Sequence, residues 1–385
     1  MYEMGLGKND RYPIETHATS TPGAANVAAW AEKSAGTDLA GEVVDGERLA
    51  DARWAFTTRR AHLPSGLTLL MHGVQPRQGD LVLARVTGIG HHSKLELPDG
   101  RRSQLYQGDE IVVTYANRYA PDQFEAEIPD NLDDCHLVAA GGIAARMLSR
   151  NAKTRNPTRI RPLGLLADLH GRRLNVNDWR IDSGPFPKPL PPVIVVAGTA
   201  MNAGKTTAAA RLIRGLVRAG KRVGAAKVTG TGAGGDYWQM KDAGACEVVD
   251  FTDAGYASTY QLAPQEIEKV FLRLLSHLGS LKTDVIVVEV ADGVLQAETA
   301  ALLASPSFSY YSDKLIFAAS DAMGAVAGVQ WLQSKGLNVH AVSGALTASP
   351  LAIRETSTAL GLPVLLKQGL SDPSVALELL ADGGN

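Results

Sequence analysis

The chain has 385 residues, 45% of them apolar and 20% charged, with a formal net charge of −2. This length predicts two or three domains with ample core, and the near-neutral balance gives no global case for nucleic acid or a membrane surface. Cys135 and Cys246 stand far apart in no metal-like spacing, no apolar run approaches a bilayer span, and the N-terminus lacks a basic start and apolar core. A cytoplasmic chain with free thiols and no signal peptide is expected.

Residues 1–52 mix Gly, Thr, Asn and Asp with short alanine-rich pieces. They read as a flexible N-terminal segment with one helix near Asn26 to Lys33. Residues 53–183 change to short strands. Asp80 to Val86 alternates, Lys94–Leu97 and Arg102–Leu105 flank the turn Asp99-Gly100, and Glu110–Tyr115 follows. A β-rich domain, barrel- or sandwich-like, is expected here. Gly141–Arg150 reads as helical, and Arg159–Asp182 as strand-turn-strand around His170-Gly171. His91-His92 lies in a strand or hairpin without nearby ligands, so the pattern does not point to a metal. Between residues 146 and 180, nine Arg and Lys oppose Asp168 and Asp178, a local excess of nine minus two, or +7. That stretch is either a solvated surface or a platform for an anionic partner such as nucleic acid. Residues 184–192 hold five prolines in nine positions and read as a linker.

Residues 193–385 read as a nucleotide-binding domain. The stretch VIVVAGTAMNAGKTT, residues 193–207, runs from a β-branched strand through a glycine loop into a helix. Such a loop curls backbone N–H groups around phosphate oxygens, and the helix adds its positive dipole end. Gly198, Asn202, Ala203, Gly204, Lys205, Thr206 and Thr207 are the expected nucleotide-binding residues. Lys205 reaches the β/γ-phosphates and the Thr206 hydroxyl ligates Mg²⁺. Ala209, Leu212, Ile213, Leu216 and Val217 form one apolar helix stripe, stopped at Gly220.

Strand candidates then follow at 222–227, 285–290, 315–319, 339–343 and 364–366. Helical patterns separate them, including Ile267, Val270, Phe271, Leu274, Leu275 and Leu278, and a helix opened by Ser349-Pro350. This alternation predicts an α/β fold, a mostly parallel sheet with helices on both faces, with ligands at the carboxyl ends of its strands. Lys227 ends the second strand, Asp236 lies in the Gly-rich loop after it, and Glu289 and Asp292 end the third. A carboxylate there is placed to hold Mg²⁺ or its water shell. Tyr237, Trp238, Asp250, Thr252, Asp253, Tyr256 and Tyr260 are either core or the lining of an acceptor pocket.

The order GTAMNAGKTT, AAKVTGTGAGGD and VIVVEVADG resembles dethiobiotin synthetase and its P-loop relatives over residues 193 to about 370. That family has the same loop spacing, a Lys-containing strand end, an Asp about ten residues later and an E-G-A-G-G strand end. The resemblance implies that Lys205 binds phosphates and that Thr206, Asp236 and Glu289 organise Mg²⁺. It also implies that Lys227 lies between the γ-phosphate and the acceptor, which makes Lys205 and Lys227 the catalytic candidates. Val228 stands where the family has Pro, Val290-Ala291-Asp292 where it has Gly-Ala-Gly, and the β-rich half has no counterpart there.

The function expected is ATP- and Mg²⁺-dependent phosphoryl transfer to a small acidic or hydroxyl acceptor, by a kinase or a ligase passing through an acyl phosphate. No N-K-x-D base-reading motif stands out, so the residues leave ATP and GTP open. The alternatives are an ATPase switch whose N-terminal half binds a macromolecule, and a polynucleotide kinase. No membrane partner is expected, and the chain is expected to form a homo-oligomer, a dimer in the simplest case.

Overall fold

The strands of the N-terminal half close on themselves because five apolar-alternating segments share one interior. The structure, a computed structural model, describes residues 41–182 and 184–381. The helix expected near Asn26 lies outside them. The five segments are β1 (Leu81–Gly88), β2 (Glu110–Tyr115), β3 (Cys135–Ala139), β4 (Ile143–Arg150) and β5 (Thr158–Asp168). They pair in the order β1-β2-β4-β3-β5, and β5 returns to β1. Closure leaves none of the five with a free edge, which removes a template for aggregation. Val82, Ala84, Val86, Ile111, Val113, Tyr115 and Leu137 fill the inside. The outward-facing Leu81, Leu83, Val112 and Leu166 are covered by a second cluster with Val44 and Leu49. Strand Glu42–Val44 and helix Gly46–Asp51 belong to that cover. The hairpin around Asp99-Gly100 forms between Lys94–Glu96 and Arg102–Gln104.

β4 is a correction, because Gly141–Arg150 reads as a helix from its Ala, Met, Leu and Arg content. It pairs parallel to β2 on one side and antiparallel to β3 on the other. Two rows of ladder hydrogen bonds and burial of Ile143, Ala144 and Ala145 override a weak helical propensity.

The C-terminal half is the expected α/β sheet. Its strands are β6 (Val193–Gly198), β7 (Val223–Lys227), β8 (Glu247–Asp250), β9 (Val285–Glu289), β10 (Lys314–Ala318) and β11 (Ala341–Ser343). All pair in parallel, in the order β8-β7-β9-β6-β10-β11. The run at 364–366 contributes an isolated bridge, Val364 to Val342, and β8 adds a strand to those the sequence predicts. Helix α1 (Lys205–Arg218) buries Ala209, Leu212, Ile213 and Leu216 on one face of the sheet. Helices α3 (Pro264–Ser280) and α4 (Ala322–Ser334) cover the other, after the short α2 (Gly235–Asp242). Burial on both faces explains why these strands are continuous apolar runs. The proline-rich segment lies against this half, with Phe186 and Leu190 on the α3 side of the core. Among the described residues, no helix is long and apolar enough to cross a membrane.

The two halves are joined by polar contacts around the carboxyl ends of β7 and β8. Arg59 reaches Asp253 at 2.6 Å and Asp250 at 3.2 Å, and also contacts Thr252. Glu96 accepts a hydrogen bond from the N–H of Gly234 at 2.9 Å, at the start of α2. Gly141 allows close approach, since a Cβ there would lie 2.2 Å from the carbonyl oxygen of Gly232.

Candidate functional site

The loop after β6 owes its shape to residues that tolerate left-handed backbone. Asn202 has φ 65° and Gly204 φ 96°, which turn the chain into α1 at Lys205. A Cβ on Gly198 would fall 2.5 Å from the carbonyl oxygen of Ala318 and 2.8 Å from Lys205 Cγ, so only glycine lets the lysine stem pass. Ala203 is buried, and its carbonyl accepts from the N–H of Ala345 at 2.9 Å.

Lys205 is 5% exposed and donates to the carbonyl oxygens of Ala200, at 2.7 Å, and Asp292. Burial lowers its pKa, against the pull of Glu289 and Asp292. Strand register sets Lys227 beside Glu289. Lys227 is ion-paired with Asp236, in the first turn of α2. Burial opposes the Lys227 charge, but Asp236 and Glu289 outweigh it and raise the pKa. Asp236 is half-buried, and although that desolvation pushes its pKa up, Lys227 outweighs it and holds the carboxyl below the usual range.

Glu289 accepts from the Thr206 hydroxyl at 2.8 Å through one oxygen, and its other oxygen is buried without a partner. Burial, then repulsion from Asp236, pushes its pKa up to about 7. Burial likewise lifts Asp292 to about 6. A buried carboxylate oxygen without a donor costs free energy unless something positive meets it. Among the described residues, no three His, Cys, Asp or Glu side chains group as a metal site. Two acids and a hydroxyl fit Mg²⁺ carried in on a nucleotide, because that ion keeps waters and phosphate oxygens as most of its ligands.

These residues form one wall of a cavity of about 640 Å³ that Asn202, Gly204, Lys205, Thr206, Thr207, Lys227, Asp236, Glu289 and Asp292 all line. The opposite wall comes from the N-terminal half: His91, His92, Arg102, Arg118, Gln123 and the turn at Ala139-Ala140. The halves touch at the loop itself, where Asn202 donates to Asp122 at 3.1 Å. The histidine pair is visible in the sequence but its place is not, and nothing there singles out Arg118 or Gln123. No local motif marks them, since folding of the N-terminal half brings them together. Burial pushes the His92 pKa down to about 3, so its ring is neutral at pH 7.

The aromatic and acidic residues after Asp236 sit elsewhere. Tyr237 packs edge-on against Phe56, with Arg59 over its ring. Asp250, Thr252 and Asp253 engage Arg59, and the Tyr256 hydroxyl donates to Glu266 at 2.6 Å. Tyr237, Asp250, Thr252 and Asp253 thus make the junction between the halves, and neither they nor Tyr256 line the cavity. In the basic stretch, Arg161, Arg172 and Arg173 are ion-paired with Asp134, Asp178 and Asp80.

Residues 193–292 match a family described as MobB, Molybdopterin guanine dinucleotide synthesis protein B. The match covers about a quarter of the chain and marks this segment as a P-loop NTPase module. That module is what the match shares with the motif resemblance to dethiobiotin synthetase. No curated protein matches. Among solved structures, the signal recognition particle 54 kDa protein of Aeropyrum pernix K1 in complex with GDP is 17% identical, at a TM-score of 0.34. The alignment covers 52% of this chain and 51% of that one, about half of its length. The signal recognition particle receptor FtsY of Elizabethkingia anophelis in complex with GDP is 14% identical, at a TM-score of 0.36, covering 54% of this chain and 68% of that one. The cell division protein FtsY of Thermotoga maritima is 19% identical at 0.33, covering 52% and 72%. Likenesses this distant carry no functional information.

Proposed function

We propose that the chain is an ATP- and Mg²⁺-dependent enzyme that transfers a phosphoryl group to a small acidic or hydroxyl acceptor, as a kinase or as a ligase through an acyl phosphate. The observation that carries this reading is the two-walled cavity, with a phosphate loop on one side and His91, Arg102, Arg118 and Gln123 on the other. Its volume of about 640 Å³ suits a phosphate chain with a small second molecule beside it. Little covalent chemistry is asked of the protein in such a transfer. Positioning and charge neutralisation carry it.

The loop N–H groups would cradle the phosphates. Lys205 would leave the carbonyls of Ala200 and Asp292 for the β/γ-phosphates. Thr206 and Glu289 would hold Mg²⁺, with Asp236 ordering its water shell, and the ion would neutralise charge on the phosphate oxygens. Lys227, fixed by Asp236, would face the transferring group. Free Cys135 and Cys246 support a reducing, cytoplasmic setting.

A second reading, a nucleotide-driven switch, draws on the bond between Asn202 and Asp122, through which the N-terminal half would sense the loop. The test is nucleotide turnover with Mg²⁺, run with ATP and GTP because the matched family's description names a guanine dinucleotide. Stimulation by a small acid or hydroxyl compound supports the enzyme, and stimulation only by a protein or nucleic acid supports the switch. Failure to bind either nucleotide overturns both.

A further inference from the structure

The N-terminal wall of the cavity holds an arginine without a counter-ion. Arg118 is 5% exposed and lines the cavity. Its guanidinium is pinned by packing: one Nη donates to Gln123 Oε1 at 2.7 Å, and the Phe124 ring centre lies 5.8 Å from Cζ. The other Nη lies 3.1 Å from His92 Nε2. That ring nitrogen is also 2.9 Å from the carbonyl oxygen of Val138. A neutral imidazole has one N–H, and the carbonyl requires it on Nε2, which then has no lone pair for Arg118. Arg118 Nε has no partner among the described residues.

Among the described residues, no carboxylate pairs with Arg118. Asp122 and Asp292 act on it only at longer range, and Asp122 keeps a buried oxygen of its own unpartnered. Burial lowers the arginine's pKa to about 10, the direction of a cation short of company. Buried charges are ordinarily paired, and five fixed N–H donors match a carboxylate or phosphate.

The distribution of charge says which anion. The nucleotide wall carries Lys205 and Lys227 against Asp236, Glu289 and Asp292, two cations against three acids. The facing wall contributes Arg102 and Arg118 to the lining and no acid. Phosphates in the loop already have Lys205, Lys227 and the α1 N-terminus. The surplus positive charge faces them from across the cavity, where a second molecule would sit.

Building on the phosphoryl-transfer reading, we propose that Arg118, oriented by Gln123 and on the same cavity wall as Arg102, is the receptor for an anionic group of the second substrate, a carboxylate or a phosphate monoester. This makes the N-terminal barrel the substrate-selecting half. Arg118 is a binding residue, and Gln123 positions it.

The experiment uses the full chain and two probes, malonate and inorganic phosphate, titrated by calorimetry with saturating Mg-ADP in the loop. Mg-ATP and Mg-GTP are titrated separately. In Arg118→Met, probe affinity should fall at least about tenfold, as expected for a lost charge-assisted contact, while nucleotide affinity stays within about twofold. Gln123→Leu keeps the charge but releases the guanidinium, and it should weaken the probes in the same direction. It decides the matter if Arg118→Met does not fold. Equal probe binding by wild type and variants overturns the proposal, as does wild-type protein that takes up neither probe. Loss of nucleotide affinity from a folded Arg118→Met also overturns it, by assigning Arg118 to the γ-phosphate. If wild type binds no nucleotide yet binds a probe through Arg118, the phosphoryl-transfer reading fails and the anion receptor stands.

Discussion

Arg59 and Arg118 both come from the N-terminal half, both are buried, and both reach toward the P-loop half, yet their surroundings are opposite. The Arg59 side chain is 10% exposed and meets Asp250 and Asp253, each 4% exposed, with Phe56 beneath it at 4.1 Å. Burial alone would lower its pKa, but the two acids outweigh that and raise it. Arg118 has no such acid, and its pKa falls. Desolvating a guanidinium is expensive in both places. At Arg59 the protein supplies the compensation, so the charge serves cohesion. At Arg118 the compensation is left to come from outside, which is how a binding residue differs from a structural one of the same type and burial.

The largest effect expected tests whether the wall opposite Arg118 is catalytic. Lys205→Ala should lower nucleotide turnover by about a thousandfold or more, while circular dichroism still reports a folded chain. Near-normal turnover would remove the reason for reading Arg118 as facing a reaction. Next comes Arg59→Met, which should destabilise by about 3–5 kcal/mol in urea unfolding, because it strands buried Asp250 and Asp253. Adding Asp253→Asn should recover part of that loss. A loss below about 1 kcal/mol would show that Arg59 is no more structural than Arg118.

Charge removal on the nucleotide wall should have a smaller, metal-specific effect. Asp236→Asn and Glu289→Gln should each raise the Mg²⁺ concentration for half-maximal turnover about 10- to 100-fold, while metal-free nucleotide binding changes little. Unchanged Mg²⁺ dependence in both would refute the metal assignment. The smallest effect belongs to an ion-pair cluster whose arginines, unlike Arg59, are exposed. Glu110 is held by Arg48 and Arg85, both at 2.8 Å, which lower its pKa from 4.5 to about 2. The depressed value means that its stabilisation is complete above pH 4.5 and is lost as pH falls toward 2. Solvent screens both arginines, so Glu110→Gln should cost about 1 kcal/mol at pH 7. That difference from wild type should vanish near pH 2, and one that persists there would show that the Glu110 effect is packing rather than charge.

The legible part of the site was the part written in consecutive residues. The loop from Gly198 to Thr207, and Lys227 and Glu289 at strand ends, follow from strand-loop-helix order and parallel-sheet topology. Asp236 followed from the resemblance. The other wall was not legible, because Arg118, Gln123 and His92 converge only once β1 to β5 have closed and docked. β4 misled for a related reason: its composition suits a helix, and only partners on both sides make it a strand. From the sequence, the acids at 250 and 253 read as core or as the lining of an acceptor pocket. Their role depended on Arg59, some 190 residues away and without any pattern of its own.

The hydrogen bonds of Lys205 bear on which ligands the site will ignore. Its ammonium is tied to two backbone carbonyls, at Ala200 and Asp292, and the residue is only 5% exposed. A lone passing anion therefore meets a sheathed cation, and must compete with two dipoles already in place. A ligand that also fills the loop N–H groups repays that displacement, whereas a single free phosphate does not. The arrangement acts as a coincidence filter, exposing its strongest charge only to a molecule that satisfies several points at once. Amine-reactive labelling of Lys205 should accordingly change with Mg-ATP and not with inorganic phosphate.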